Sequence, residues 1–214
     1  MGRRISFDWV RTLFSAAMHF RLRIAAQRLP LRDELLLALA VAAMVLPLLS
    51  IRGYHFEEGL TAALAKDALT GSPWYVPDLF GARWIERPVM QSWLVALISM
   101  PLGGVSQITT RLPTVAALFF GAVLIARLLR PRVSRAAALF GALCFLFSPA
   151  VLQKAVTAEA DILLSTFEFA AFFVWWRGYE TGRPTLLRWL AVALLLAATA
   201  LCKGPQPAVF FGLG

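Results

Sequence analysis

Residues 34–51 read ELLLALAVAAMVLPLLSI, and Glu34 is the only charged residue in this run. A helix needs about 20 mostly apolar residues to cross the bilayer core, so the run predicts a membrane-spanning helix. Composition points the same way, because 59% of the 214 residues are hydrophobic and only 15% are charged. We therefore predict an all-α fold, that of a polytopic helical membrane protein.

Other apolar runs follow along the chain and extend this topology. Further spans are expected at 113–130, 136–152, 162–176 and 186–202, and another apolar run begins at residue 206. The run 89–102 is shorter and contains polar residues, so its length does not decide whether it crosses the membrane. The distribution of arginine decides this question instead.

Arginine-rich stretches of membrane proteins gather on the cytoplasmic side. If 89–102 does not cross, the stretches 1–33, 127–135 and 177–188, with seven, four and three arginines, all lie on that side. If it crosses, the second of these stretches moves outside, against the usual bias. We therefore expect 89–102 to be an interfacial or re-entrant helix within an outer loop that covers 52–112.

The same argument divides the chain into two parts. Residues 1–33 are expected to form a cytoplasmic basic arm or an amphipathic helix on the membrane surface, and 34–214 the transmembrane domain. The net charge of +9 then reflects orientation in the membrane rather than a nucleic-acid partner.

This topology gathers charged side chains on the predicted outer face. Seven of the 12 acidic residues fall there, and they are Glu57, Glu58, Asp67, Asp78, Glu86, Glu159 and Asp161. The basic residues of the same face include Arg87, Arg111, Lys154 and Lys203. Within the loop, 58–70 has the pattern of an amphipathic helix that ends at Gly71, and Pro88 favours an extended Arg87.

Five stretches in order carry a resemblance to a known family. They are FEEGLTAALAKDALTGSPWYVP (56–77), WIERPVMQSWL (84–94), TRLPT (110–114), TAEADILLSTF (157–167) and CKGP (202–205). In this order and spacing the chain resembles the polyprenyl-phosphate-sugar-dependent glycosyltransferases of the GT-C type, close to lipid A aminoarabinose transferases and bacterial protein-mannosyltransferase-like proteins. The resemblance covers about 45–214 and implies interfacial helices in the first outer loop.

The resemblance also implies a reaction. A sugar moves from a polyprenyl-phosphate carrier to an extracytoplasmic acceptor, which is a lipid A-like lipid, a glycan or a protein, with inversion at the anomeric carbon. It implies Glu57 as the catalytic base that takes the acceptor proton, and basic side chains that hold the carrier phosphate. Those phosphate-binding residues are Arg87, Lys203 and Arg111.

Further acids have supporting roles in this interpretation. Glu58, Glu86 and Asp161 are the supporting candidates, and a divalent metal ion, if one takes part, is expected at Glu57, Glu86 and Asp161. No other cofactor is implied. The expected setting is a bacterial inner membrane, with the N-terminus cytoplasmic and the site on the periplasmic side.

Each of these residues also has a structural explanation. Glu57 and Glu58 could stabilise the positive end of the following helix, and Glu86 with Arg87 could be a solvated loop ion pair. Asp161 could cap the helix that follows it. Lys203 and Arg111 could extend along a span to the membrane surface.

Two departures from the family pattern leave a second hypothesis open. Glu57 stands where the family has Asp and Arg87 where it usually has Lys, and a side chain longer by about 1.5 Å can lower a rate strongly. Because relatives have many more spans, we expect this chain to be a fragment. The alternative function is a non-catalytic or truncated scaffold or lipid-binding protein of the same fold.

Overall fold

The computed structural model describes residues 29–55, 57–182 and 185–213. The predicted arm therefore lies, up to residue 28, outside the described residues. In chain order the helices are α1 (Leu31–Val45), α2 (Glu58–Leu69), α3 (Met90–Ser99), α4 (Gln107–Leu129), α5 (Arg135–Leu146), α6 (Pro149–Ala155), α7 (Ala160–Glu180), α8 (Leu186–Lys203) and α9 (Gln206–Leu213). The predicted all-α class is confirmed.

The core of the bundle lies between α1, α4, α5 and α7. Leu37, Val41 and Val45 of α1 are four residues apart, which places them on one face of the helix, and they are buried with Leu118 of α4. Leu39 lies on another face of α1 and is 65% exposed. A helix that is apolar on its exposed side as well as in the core suits a lipid environment.

Two of the described helices, α4 and α8, are long and apolar enough to cross a membrane, and α5 with α6 adds a third if this bent pair is one span. With a rise of about 1.5 Å per residue, α4 is about 35 Å long and separates the two ends of the bundle by the thickness of a bilayer core. Helices α1 and α7 occupy the predicted spans 34–51 and 162–176. They do not meet the same criterion of length and composition.

The predicted span 136–152 is not one continuous helix. It consists of α5 and α6, which are bent by 60° relative to each other. Pro149 begins α6, and Ser148 before it is extended, with φ −66° and ψ 143°. Proline lacks an N–H group and disfavours the helical conformation in the preceding residue, so the segment predicted as the span 136–152 is bent at this point.

The loop between α1 and α4 contains the two helices expected there. Helix α2 packs on α3 through Ala65, Ala68, Val95 and Ala96, which are all buried. Helix α3, at about 1.5 Å per residue, is about 15 Å long and too short to cross a bilayer core. Between them lies a small hairpin that the sequence did not predict, formed by β1 (Asp78–Leu79) and β2 (Ala82–Arg83).

Ion pairs connect the helices at the end of the bundle where the predicted inner arginines lie, here called the arginine end. Arg135 donates to Asp33 at 2.9 and 3.0 Å, and Arg127 donates to Glu34 at 2.6 Å. These two contacts tie the start of α1 to α5 and α4. Arginines that the sequence analysis used only for orientation therefore also hold helices together.

A buried ion pair organises the opposite end of the bundle. Arg111 in the second turn of α4 donates from Nε and Nη2 to the two carboxylate oxygens of Glu58, at 2.8 and 2.9 Å. Both side chains are 0% exposed. Arg111 also donates to the carbonyl oxygens of Leu49 at 2.5 Å and Gly53 at 3.1 Å. The guanidinium group thus joins α4, α2 and the segment after α1.

Glu58 brings a fourth segment to the same point. Its carboxylate accepts hydrogen bonds from the backbone N–H groups of His55 and Ala158, both at 2.9 Å. Ala158 lies in the loop between α6 and α7. Burial raises the pKa of Glu58, but the bonds from Arg111, His55 and Ala158 outweigh it, and the pKa is lowered overall.

These contacts change the interpretation of two predicted site residues. Arg111 neither extends to the membrane surface nor offers a free donor to a phosphate, because its guanidinium nitrogens already donate to protein oxygens inside the bundle. Glu58 is likewise enclosed and cannot reach a substrate without opening the fold. The two residues form a structural connection, here called the Glu58–Arg111 pair.

We predict that Arg111→Met destabilises the protein by about 3–5 kcal/mol, because it leaves a buried carboxylate without its partner. The measurement is chemical unfolding of the detergent-solubilised chain. Arg127→Met is the matched control, since it removes an arginine from a pair whose side chains are 39% and 28% exposed, and exposed pairs contribute about 0–1 kcal/mol. Equal losses in the two variants would contradict the assignment.

The lowered pKa of Glu58 also predicts a pH dependence. The stability contributed by its ionised form is complete above the ordinary glutamate value of 4.5 and is lost as the pH falls through the lower value in the folded protein. The denaturant concentration at the unfolding midpoint should therefore decrease as the pH is lowered below 4.5. This decrease should be smaller in Glu58→Gln. An unchanged acid profile in that variant would rule out the linkage.

Candidate active site

A cavity of about 420 Å³ opens beside the Glu58–Arg111 pair, and it is here called the main cavity. Its walls come from the beginning of α2, the segment before α3, and the facing ends of α6, α7 and α8. The volume is within the range of about 300–1,000 Å³ typical of ligand pockets. The charged residues that line it are Glu57, Glu86, Arg87, Lys154, Glu159, Asp161 and Lys203.

Glu57 stands at the N-cap position of α2, but its side chain makes no capping hydrogen bond. The carboxylate forms an ion pair with Arg87 instead, and the two side chains are 49% and 53% exposed. The charge of Glu57 at the start of α2 is still compatible with stabilisation of the positive end of this helix, but its direct partner is Arg87. The hydrogen bond that Arg87 donates to Glu57 raises the pKa of Arg87, so Arg87 stays cationic.

Asp161 and Lys203 meet across the ends of two helices. Asp161 lies in the first turn of α7 and forms an ion pair with Lys203 at the end of α8. The N-cap of α7 is Glu159, and no side chain caps this helix, so Asp161 does not have the capping role that the sequence left open. Its contact with Lys203 instead brings two predicted site residues together.

Lys154 is the third cation of the main cavity. It forms one ion pair with Glu159 and a second with Asp161 at 3.3 Å. The sequence placed Lys154 and Glu159 on the outer face but gave them no role. The break at Pro149 was the missed signal, since it starts the short helix that carries Lys154 into this wall.

Glu86 also lines the main cavity, and it lies close enough to Arg87 to favour the charged guanidinium. In the described part of the chain, no three His, Cys, Asp or Glu side chains are grouped closely enough to hold a metal ion. The expected metal set of Glu57, Glu86 and Asp161 is therefore not assembled, although all three carboxylates face one cavity.

Two polar atoms in the cavity wall lack partners. The indole N–H of Trp84 and the side-chain oxygen Oε1 of Gln91 are buried without a hydrogen bond. A buried polar atom without a partner is costly and uncommon. Both residues line the main cavity, and no sequence pattern marked either of them as a site residue.

The ion pairs of the main cavity differ from the Glu58–Arg111 pair in how easily another anion can replace the carboxylate. Arg87, Lys154 and Lys203 all hold carboxylates that are partly open to solvent. Because exposed pairs are weak, an incoming anion can replace a carboxylate at little cost. Replacement at Arg87 would leave the carboxylate of Glu57 free to accept a proton.

Comparison with known proteins agrees with this architecture. A family model described as dolichyl-phosphate-mannose-protein mannosyltransferase matches residues 86–213, more than half of the chain. The structure is similar to the crystal structure of ArnT from Cupriavidus metallidurans in the apo state, with a TM-score of 0.72 and 17% sequence identity, over 93% of this chain and 35% of that chain.

At this identity the likeness to ArnT shows the fold, and the chain spans 35% of that chain's length. The resemblance to the GT-C type of membrane glycosyltransferase is confirmed by the family match and the fold together. The chain is a helical membrane protein, and it belongs to the dolichyl-phosphate-mannose-protein mannosyltransferase family.

Proposed function

We propose that the chain belongs to a membrane glycosyltransferase that moves a sugar from a polyprenyl-phosphate carrier to an extracytoplasmic acceptor. The main cavity is the proposed reaction site, on the periplasmic side of a bacterial inner membrane with the N-terminus in the cytoplasm. The observation that carries the proposal is the convergence of Glu57, Arg87, Asp161 and Lys203 on this one cavity.

Arg87 and Lys203 are the proposed ligands of the carrier phosphate. The planar guanidinium of Arg87 can donate two parallel hydrogen bonds to phosphate oxygens, and Lys203 adds a compact positive charge. Asp161 holds Lys203 at the cavity through their ion pair. As the bond between sugar and phosphate breaks, the two cations stabilise the negative charge that builds on the leaving group.

Glu57 is the proposed general base. Once Arg87 binds the carrier phosphate, the Glu57 carboxylate loses its partner and can accept the proton of the acceptor hydroxyl. The acceptor oxygen then attacks the anomeric carbon opposite the leaving phosphate, and the configuration inverts. Trp84 and Gln91 line the main cavity with one unpaired polar atom each, and they are the proposed hydrogen-bonding partners of the sugar hydroxyl groups.

We predict that Glu57→Gln lowers sugar transfer by about a hundredfold or more, the usual contribution of a general base. Binding of a short-chain polyprenyl phosphate should be retained, because the variant frees Arg87 instead of removing it. Transfer is measured with a radiolabelled polyprenyl-phosphate sugar. Glu180→Gln at the arginine end is the control. Transfer by Glu57→Gln at the control rate would exclude Glu57 as the base, whereas no transfer above background by the unchanged chain would favour the non-catalytic alternative.

We also predict that Arg87→Gln weakens binding of the short-chain polyprenyl phosphate by about 10- to 100-fold, the loss expected for a hydrogen bond to a charged group. The matched control is Arg83→Gln in β2, an exposed arginine outside the cavity. Binding is measured by isothermal titration in detergent. Equal affinities of the two variants would exclude Arg87 from the phosphate site.

A further inference from the structure

A second cavity of about 430 Å³ lies next to the main cavity. Arg52, His55, Gln153 and Thr157 line it alone, while Glu57, Lys154 and Glu159 line both cavities. These three shared residues therefore form the wall between the two spaces. The proposed base lies in this wall, where a ligand on either side can reach its carboxylate.

The second cavity has a positive charge that its surroundings only weakly balance. Arg52 is 44% exposed, and its nearest carboxylate is Glu58 at 3.9 Å. That carboxylate is already bound by Arg111 at 2.8 and 2.9 Å. The Arg52 side chain otherwise donates to the carbonyl oxygen of Val156 at 3.4 Å, a long bond that an incoming oxyanion can replace.

The other charged groups of this cavity do not cancel that of Arg52. Glu159 is paired with Lys154, and Glu57 is paired with Arg87. Both carboxylates are thus paired with a cation other than Arg52. The remaining lining residues offer polar contacts without a negative charge, so the site favours an anion over a cation.

We propose that the second cavity is the acceptor site, and that it takes an acceptor with an oxyanion group such as a phosphate, bound by Arg52. This inference rests on the function proposed for the main cavity and adds the substrate class of the second substrate. The carrier and the acceptor then bind on opposite sides of Glu57, which keeps the two negatively charged groups apart.

This arrangement gives a balanced transfer step. A hydroxyl oxygen of the acceptor, distinct from the anion at Arg52, forms the new bond to the anomeric carbon, and its proton passes to Glu57. The bond between the anomeric carbon and the carrier phosphate breaks, and its electron pair leaves with the phosphate at Arg87 and Lys203. No oxidant, reductant or further reactant is needed.

The test measures two binding events on the full chain in detergent. The main cavity is first saturated with short-chain polyprenyl phosphate, and short-chain phosphatidic acid is then titrated as the acceptor probe. Matched diacylglycerol tests the need for the anion, and inorganic phosphate as a competitor tests the need for the lipid. The variants are Arg52→Gln, Arg52→Lys and Arg87→Gln, with Arg83→Gln as the control.

We expect Arg52→Gln to weaken phosphatidic acid binding by about tenfold or more, with Arg52→Lys close to the wild type and diacylglycerol not bound. The fold should be retained, because Arg111 contacts the backbone carbonyl of Arg52 and not its side chain, and the unfolding midpoint checks this. Inorganic phosphate should compete with phosphatidic acid for binding to the unchanged chain. Loss of this competition in Arg52→Gln would also support the site.

Two results would overturn the inference. One is phosphatidic acid binding that is the same in Arg52→Gln and Arg83→Gln. The other is competition between phosphatidic acid and polyprenyl phosphate for a single site. Failure of the proposed main-cavity function looks different, because polyprenyl phosphate binding would then be unaffected by Arg87→Gln whatever the result at Arg52.

Discussion

The buried Glu58–Arg111 pair is the interaction on which the arrangement of segments at the predicted outer end of this protein depends. Burying a lone carboxylate or guanidinium group is costly, so Glu58 and Arg111 must stay together and must keep their remaining hydrogen-bonding groups occupied. The groups that do this belong to the segment after α1, to α2, to α4 and to the loop before α7. Satisfying one ion pair thus fixes the relative positions of four segments, and the main cavity lies beside them.

Adjacent glutamates have opposite tasks in this arrangement. Successive residues of a helix point about 100° apart, so at the start of α2 one carboxylate faces α4 while its neighbour faces the cavity. Glu58 is enclosed and fully paired, whereas Glu57 is half exposed in an ion pair that an incoming anion can replace. The rigid pair keeps the exchangeable one in place, and this division of roles is what the proposed chemistry requires.

The distribution of arginine, interpreted with the positive-inside rule, was the most informative feature of the sequence. It separated charges that lie at opposite ends of a long helix. It predicted that Glu57, Arg87, Asp161 and Lys203 share one face, and these four residues line one cavity. It could not tell that Arg111 points into the bundle, since burial depends on partners from segments far away in sequence. The bend at Pro149 was readable from the chain, but its effect on Lys154 depends on how α6 packs against α7.

The most direct test of the account is whether residues 57 and 203 share one chamber. In a chain with Cys144→Ala and Cys202→Ala, the changes Glu57→Cys and Lys203→Cys introduce two thiols for a short bismaleimide, and peptide mass spectrometry detects the bridge. We predict an efficient intramolecular cross-link for this pair and none for Glu57→Cys with Arg132→Cys, which lie at opposite ends of the bundle. A cross-link in the second pair, or none in the first, would contradict this prediction.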